Sequence, residues 1–144
     1  MSKMVLDMAA MQEDFFSDTA MIGMVTAMPG YRLCWMLNQH FNINFARDPG
    51  QNIMLKKKDN EYCFPTYQYG LPNSSYKYVL YKLKNGSETL LPETKQLDYL
   101  WLIQTATPEE DALYLARELR NIADIQLAQI LASDQLKSVM NLLV

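Results

Sequence analysis

The sequence predicts an α+β fold built on a mostly antiparallel sheet, and three observations carry that expectation. Two apolar runs, Thr19–Ala27 and Asp98–Thr105, each lead into a helical pattern; the stretch between them is dense in tyrosine; and turn signals divide that stretch into strands. A chain of 144 residues has the size of one domain, and 49% hydrophobic residues suffice for one core. Residues 1–144 are therefore expected to form a single α+β domain, with 1–18 as a partly ordered arm.

Val5–Met8 reads as a short edge strand, and Gln12–Asp18 as a polar connection anchored by Phe15 and Phe16. Thr19–Ala27 is nearly all small or apolar, as expected of a buried central strand. After the Pro29-Gly30 break, Leu33, Met36, Leu37, His40 and Phe41 recur at helical spacing and form one stripe. Ile43–Phe45 and Asn52–Leu55 read as strands around the turn Asp48-Pro49-Gly50, and Lys56–Asp59 as a charged turn.

Tyr62–Leu83 carries Tyr62, Tyr67, Tyr69, Tyr76, Tyr78 and Tyr81, a density of aromatics that favours strands. Gly70, Pro72, Asn73 and Ser74 split it in two, and Asn85-Gly86 signals a tight turn after the second strand. Asp98–Thr105 contains Leu100-Trp101-Leu102-Ile103, apolar enough to be covered on both faces. Thr107 is expected to cap a helix with Pro108 at its first position and Glu110 reaching back in a capping box. Ala112, Leu115, Ala116, Leu119 and Ile122 make the buried stripe of that helix. Ile125–Leu131 reads as a strand, with helix as the alternative for Gln126–Leu131, and Ser133–Leu143 as a short C-terminal helix. This order suggests two split βαβ units sharing one sheet, a ferredoxin-like arrangement with two main helices on one face, elaborated by the tyrosine-rich meander.

The 13 basic and 16 acidic residues are scattered, so the net charge of −3 favours solubility and offers little attraction to nucleic acid or to an anionic membrane. Met1–Met11 is apolar but carries Asp7 and lacks a basic leader region, so neither export nor membrane spanning is expected. Cys34 and Cys63 make no disulfide framework and read as reduced, which points to a cytoplasmic setting. Ten methionines are read mainly as core filling.

The segment Leu91-Pro92-Glu93-Thr94-Lys95-Gln96-Leu97-Asp98-Tyr99 resembles the signature for which the IPExxxVDY family is named, with leucine at its first and seventh positions. Ile22-Gly23, then Tyr31-Arg32-Leu33-Cys34-Trp35 with Asn38 one turn later, is similar to that family's strand-to-helix segment. The resemblance spans roughly Thr19–Ile103 and implies a shared fold and an intracellular bacterial setting, chiefly among Bacteroidetes, but no mechanism. Pro29-Gly30 stands where relatives are expected to carry charged residues.

Read from the residues, Pro92 stops the preceding segment from pairing as a central strand, and Asp98 bonds nearby backbone donors where the next buried strand begins. Glu93 and Asp98 are alternatively a carboxylate pair for acid/base work. His40 is the only histidine, and no Cys-x-x-Cys or His-x-x-x-His spacing exists, so no metal or cofactor is expected. It reads as a buried or rim residue with a local partner. Cys34 and His40 lie on one helix roughly 240° and about 9 Å apart and cannot pair. Gly23, Gly30, Gly50, Gly70 and Gly86 stand alone, so no phosphate-cradling loop is present.

With no catalytic constellation, the leading expectation is a non-enzymatic domain that works through a protein partner or as a homodimer. A second is a site for a small anionic ligand, or an enzymatic one, formed by Tyr31, Arg32, Glu93, Asp98 and Tyr99. A third is single-stranded RNA on a face bearing Tyr76, Tyr78, Lys82 and Lys84.

Overall fold

The structure, a computed structural model, describes residues 19–47, 52–86 and 88–131. The expected strand Val5–Met8, the connection Gln12–Asp18, the turn Asp48-Pro49-Gly50 and the helix Ser133–Leu143 lie outside the described residues. The chain is α+β. In order, it forms β1 (Thr19–Val25), α1 (Gly30–Phe41), β2 (Ala46–Arg47), β3 (Ile53–Lys57), β4 (Asn60–Phe64), β5 (Thr66–Gly70), β6 (Lys77–Lys82), β7 (Lys84–Asn85) and β8 (Glu88–Thr89). A 3-10 turn at Pro92–Thr94, β9 (Tyr99–Gln104), α2 (Pro108–Arg120) and β10 (Leu127–Leu131) complete it.

Six strands make the main sheet in the order β10-β1-β9-β6-β5-β2. Every neighbouring pair is antiparallel. Within the expected Ile125–Leu131 the strand occupies Leu127–Leu131 and does not continue as helix, and β1 lies between β9 and β10 with Met21, Ile22, Gly23 and Met24 buried, as its apolar run predicts. β9 is buried from Tyr99 to Ile103 because both of its faces are covered. Tyr99, Trp101 and Ile103 join Ile22, Met24 and Leu80 in one cluster with Leu33, Cys34 and Leu37 of α1 and Ala112, Leu115, Ala116 and Leu119 of α2. Leu100 and Leu102 join Met21, Val79 and Tyr81 in a second cluster. Phe64 closes it from the β3–β4 hairpin, and Leu83, Leu90, Leu91 and Leu97 close it from the segment leading into β9.

Side chains that take over backbone hydrogen bonds move several boundaries. Ile43–Phe45 is not a strand; the pairing falls on Ala46–Arg47 instead. The cause is Asn38, whose amide oxygen accepts from Phe45 N–H at 2.7 Å and whose amide nitrogen donates to Phe45 O at 3.2 Å, so Phe45 has no ladder bonds left to offer. Tyr62–Tyr69 is broken at Pro65, which lacks a donor, into β4 and β5. Lys56 and Lys57 belong to β3, and the turn is the two residues Lys58-Asp59, both left-handed at φ 51° and 66°, as a two-residue hairpin demands. β7 and β8 do form a tight hairpin at the predicted place, with Asn85 as the last paired residue of β7 and Gly86 following it at φ 61°.

At the start of α2, Pro108 takes the first position as expected, but the capping box is absent. The Thr107 hydroxyl donates to Asp111 Oδ1 at 3.3 Å and the Thr105 hydroxyl to Asp111 Oδ2 at 2.6 Å. A carboxylate is a stronger acceptor than the alternatives, so Asp111 gathers both hydroxyls and Glu110 is left to solvent. On α1 the buried stripe is Leu33, Cys34 and Leu37; Met36 and Phe41 are half-buried and His40 sits at the rim.

Gly23 in β1 lies against Leu97, and a Cβ there would strike the Leu97 side chain and approach Leu131. Gly23→Val is expected to destabilise the fold by about 1–3 kcal/mol through overpacking. Trimming its neighbour with Leu97→Ala in the Gly23→Val background should then cost less than Leu97→Ala alone, and urea denaturation of the three variants measures the coupling.

Candidate functional site

Of the expected site residues, Arg32, Asp98 and Tyr99 lie about the turn that carries the chain from β1 into α1. As β1 leaves the sheet, Asp98 N–H donates to Met24 O at 2.8 Å and Gln126 N–H to Val25 O at 2.8 Å. Thr26 N–H then donates to Asp98 Oδ2 at 3.0 Å, and the Thr26 hydroxyl donates to Asp124 O at 2.7 Å while lying 3.3 Å from Met28 N–H, whose bond it accepts. Finally the Tyr99 hydroxyl donates to Met28 O at 2.8 Å. Five of the groups that fix this turn are thus contributed by β9, its approach and the α2–β10 connection, all distant in sequence.

Two clefts flank the turn and share Ala27, Met28 and Pro29. One, of about 280 Å³, is also lined by Lys82, Lys84, Asp98 and Tyr99. The other, of about 310 Å³, is also lined by Arg32, Asp124 and Gln126. The structure therefore brings Asp98 and Tyr99 to one cleft and Arg32 to its neighbour. Tyr31 is 77% exposed on the first turn of α1, and Glu93 is exposed in the 3-10 turn; neither lines these two clefts.

Within the first cleft, Lys84 Nζ lies 2.8 Å from Asp98 Oδ1, so both carboxylate oxygens of Asp98 are engaged, one by the backbone and one by a lysine. Burial, reinforced by the neighbouring Tyr67, Cys34 and Asp98, pushes the Tyr99 phenol above its ordinary range and keeps it a neutral donor. Burial likewise pushes the Cys34 thiol up to about 12, which leaves almost no thiolate near neutral pH. Cys34 is a packing residue. Lys82 and Lys84, expected on a strand face for single-stranded RNA, line the first cleft instead, and Thr26 and Asp124 are additions to the expected residues. The sequence signal for Thr26 is a lone hydroxyl ending an apolar run, whereas Asp124 contributes through its carbonyl, which no residue type announces.

His40 Nε2 lies 3.4 Å from Glu118 Oε1 of α2, the local partner that a rim histidine was expected to have. Cys63 is half-buried in β4, and among the described residues no group of three or more His, Cys, Asp or Glu is placed to hold a metal ion. Tyr76, Tyr78, Lys82 and Lys84 do not share a solvent face. Tyr78 packs on Trp101 at 5.4 Å between ring centroids, Tyr76 precedes β6, and Lys84 leaves the main sheet for β7 and pairs with Asp98. The strand ends at Lys82, so the even-numbered alternation does not continue to Lys84. No helix among the described residues is long and apolar enough to cross a membrane.

Large exposed apolar side chains stand on both helices and on two strands, where Met54 of β3 is 55% exposed and Leu127 and Ile130 of the edge strand β10 are also exposed. Tyr31 and Trp35, 77% and 65% exposed, are one turn apart on α1, and Leu113 and Tyr114, 58% and 56% exposed, are adjacent on α2.

Tyr99→Phe removes one hydrogen bond and leaves the Met28 carbonyl unpaired, a loss of about 1–2 kcal/mol. Asp98→Ala strips the Thr26 N–H and Lys84 of their acceptor together and should cost more, about 2–3 kcal/mol by chemical denaturation. Stability unchanged by either would mean that the turn is held by other contacts. No family model matches the sequence, and no curated protein or solved structure matches it.

Proposed function

We propose that this chain is a non-enzymatic domain that acts through protein contact, self-association included. The observation that carries the reading is the exposed apolar surface of the two helices: Tyr31 and Trp35 on α1, Leu113 and Tyr114 on α2. Large aromatic side chains left in water cost hydration free energy that contact with another protein recovers. The polar groups that might do chemistry are meanwhile committed to the fold: Asp98 to Thr26 N–H and Lys84, Tyr99 to Met28 O.

The proposal includes membership of the IPExxxVDY family and a ferredoxin-like core in a cytoplasmic setting. Support for the core comes from the strand order β10-β1-β9-β6, with α1 following β1 and α2 joining β9 to β10, which is the order of two split βαβ units. Both helices also bury their stripes in the same cluster. Support for the family comes from the work its signature does here: Leu91 and Leu97 are fully buried in the second cluster, and Asp98 and Tyr99 fix the β1–α1 turn. Two free cysteines are compatible with a reducing compartment.

A second reading, a small anionic ligand, is favoured by one feature. α1 starts with no side-chain cap and no acidic residue in its first turn, and the two clefts beside that start present Arg32, Lys82 and Lys84. Phosphate in a thermal-shift titration should then raise the melting temperature of the chain and not of Arg32→Ala, and no shift up to high millimolar phosphate removes the reading.

For the leading proposal, size-exclusion chromatography with light scattering over a wide concentration range should give a mass that climbs from one chain toward two. Replacing Trp35 and Tyr31 together by serine should leave the melting transition within a few degrees while altering contact with the partner surface. A strict monomer at every concentration would sink self-association.

A further inference from the structure

The reading of self-association leaves open which surface a second copy uses, and α2 supplies one whose own pattern is a palindrome. Its inward stripe, Ala112, Leu115, Ala116 and Leu119, is buried in the core. Its outward stripe is Glu110, Leu113, Tyr114 and Arg117, all exposed, at the spacing i, i+3, i+4, i+7 that lines one face of a helix. The order along that face is acid, apolar, apolar, base. Laid antiparallel on a copy of itself about an axis between Leu113 and Tyr114, the stripe places each Leu113 against a Tyr114 and each Glu110 against an Arg117. We propose that the chain forms a two-fold homodimer through this antiparallel α2–α2 contact, with Leu113 and Tyr114 at its centre and two Glu110–Arg117 pairs at its ends.

Charge complementarity identifies the occupant. Glu110 and Arg117 have no opposite charge three or four positions away on their own helix, and the other end of the same stripe on a second copy supplies the complement that each lacks there. Three neighbouring charges are held within the chain: Glu118 lies 3.4 Å from His40, Arg120 Nε donates to Ala128 O at 3.0 Å, and Asp111 accepts from Thr105 and Thr107. A two-fold interface must be self-complementary, and a palindromic stripe satisfies that condition without any further feature. An anionic bilayer or a nucleic acid fits worse, because the first turn of α2 presents Glu109, Glu110 and Asp111.

The test is charge reversal read by sedimentation velocity and light scattering on the full chain at low salt, with circular dichroism to verify folding. Glu110→Arg alone sets arginine against arginine at both ends, and Arg117→Glu alone sets glutamate against glutamate; each should weaken the dimer by about tenfold or more. The double reversal, Glu110→Arg with Arg117→Glu, should restore it, and mixing the two single variants should give a heterodimer tighter than either parent. Tyr114→Ser, which leaves the charges alone, should cause a comparable loss and covers the case in which a reversal perturbs the helix. A wild-type dimer indifferent to all of these would overturn the α2 contact while leaving self-association on another surface standing. A wild type monomeric at every concentration, with or without a different protein bound at this stripe, would overturn the homodimer itself.

Discussion

Between Val25 and Gly30 the chain must leave the interior of a six-stranded sheet and enter a helix that packs on it, and the backbone groups freed by that exit lie next to a buried core. They are paired from outside: Asp98 takes the Thr26 N–H, Tyr99 gives its hydroxyl to the Met28 carbonyl, and Asp124 O receives the Thr26 hydroxyl. An unpaired buried group of this kind costs about 1–3 kcal/mol, so a change at Asp98 or Tyr99 is felt through Thr26 and Met28, on the far side of a strand boundary. The position of α1 follows from this clamp. So does the shape of both clefts, whose shared wall is the clamped turn.

Burying β9 on both faces sets the second requirement, which is to find two covers for one strand. The helices supply one. The other has to come from pieces too short to be a layer by themselves, and the chain assembles it from the β3–β4 hairpin and from Leu83, Leu90, Leu91 and Leu97. Gly23 matters in this setting because β1 sits beside β9 and must let Leu97 approach its backbone closely. The two segments that carry the family resemblance therefore touch each other: Gly23 meets Leu97, and the turn after β1 meets Asp98 and Tyr99. Their separation in sequence hides a single packing arrangement.

What the sequence made legible was decided by periodicity and by local chemistry. β1, β9 and both helices follow from apolar patterns long enough to fix their type, whereas Gln126–Leu131 suits helix as well as strand and only its pairing with β1 decides it, and the roles of Asp98 and Pro108 follow from what a carboxylate and a proline do at the edge of an element. The departures share a cause that patterns do not encode, namely a side chain outbidding the backbone for a hydrogen bond. Asn38 diverts Phe45 from the sheet, and Asp111 draws the Thr107 hydroxyl away from the cap. Each involves a polar residue four to seven positions away whose rotamer is set by the fold. The site was half legible for the same reason: Asp98 and Tyr99 are visible as chemistry, whereas the Met28 and Asp124 carbonyls are visible only once the chain has closed on them.

The tyrosines illustrate why residue type alone assigns neither core nor contact. Tyr81 is fully buried, Tyr78 and Tyr69 are half-buried against one another and Trp101, and Tyr31 and Tyr114 face water, although a sequence reading treats the meander tyrosines as the exposed set. The sheet is wide enough that Tyr67, Tyr81 and Trp101 on its strands are covered, and the most exposed aromatic side chains stand on the helices. A helix buries only about one stripe of its circumference, so a second apolar pair placed opposite the first cannot serve the same core. Leu113 and Tyr114 are in that position relative to Ala112, Leu115, Ala116 and Leu119, and α2 is for that reason an element with two apolar faces, one already satisfied in the core and one left exposed.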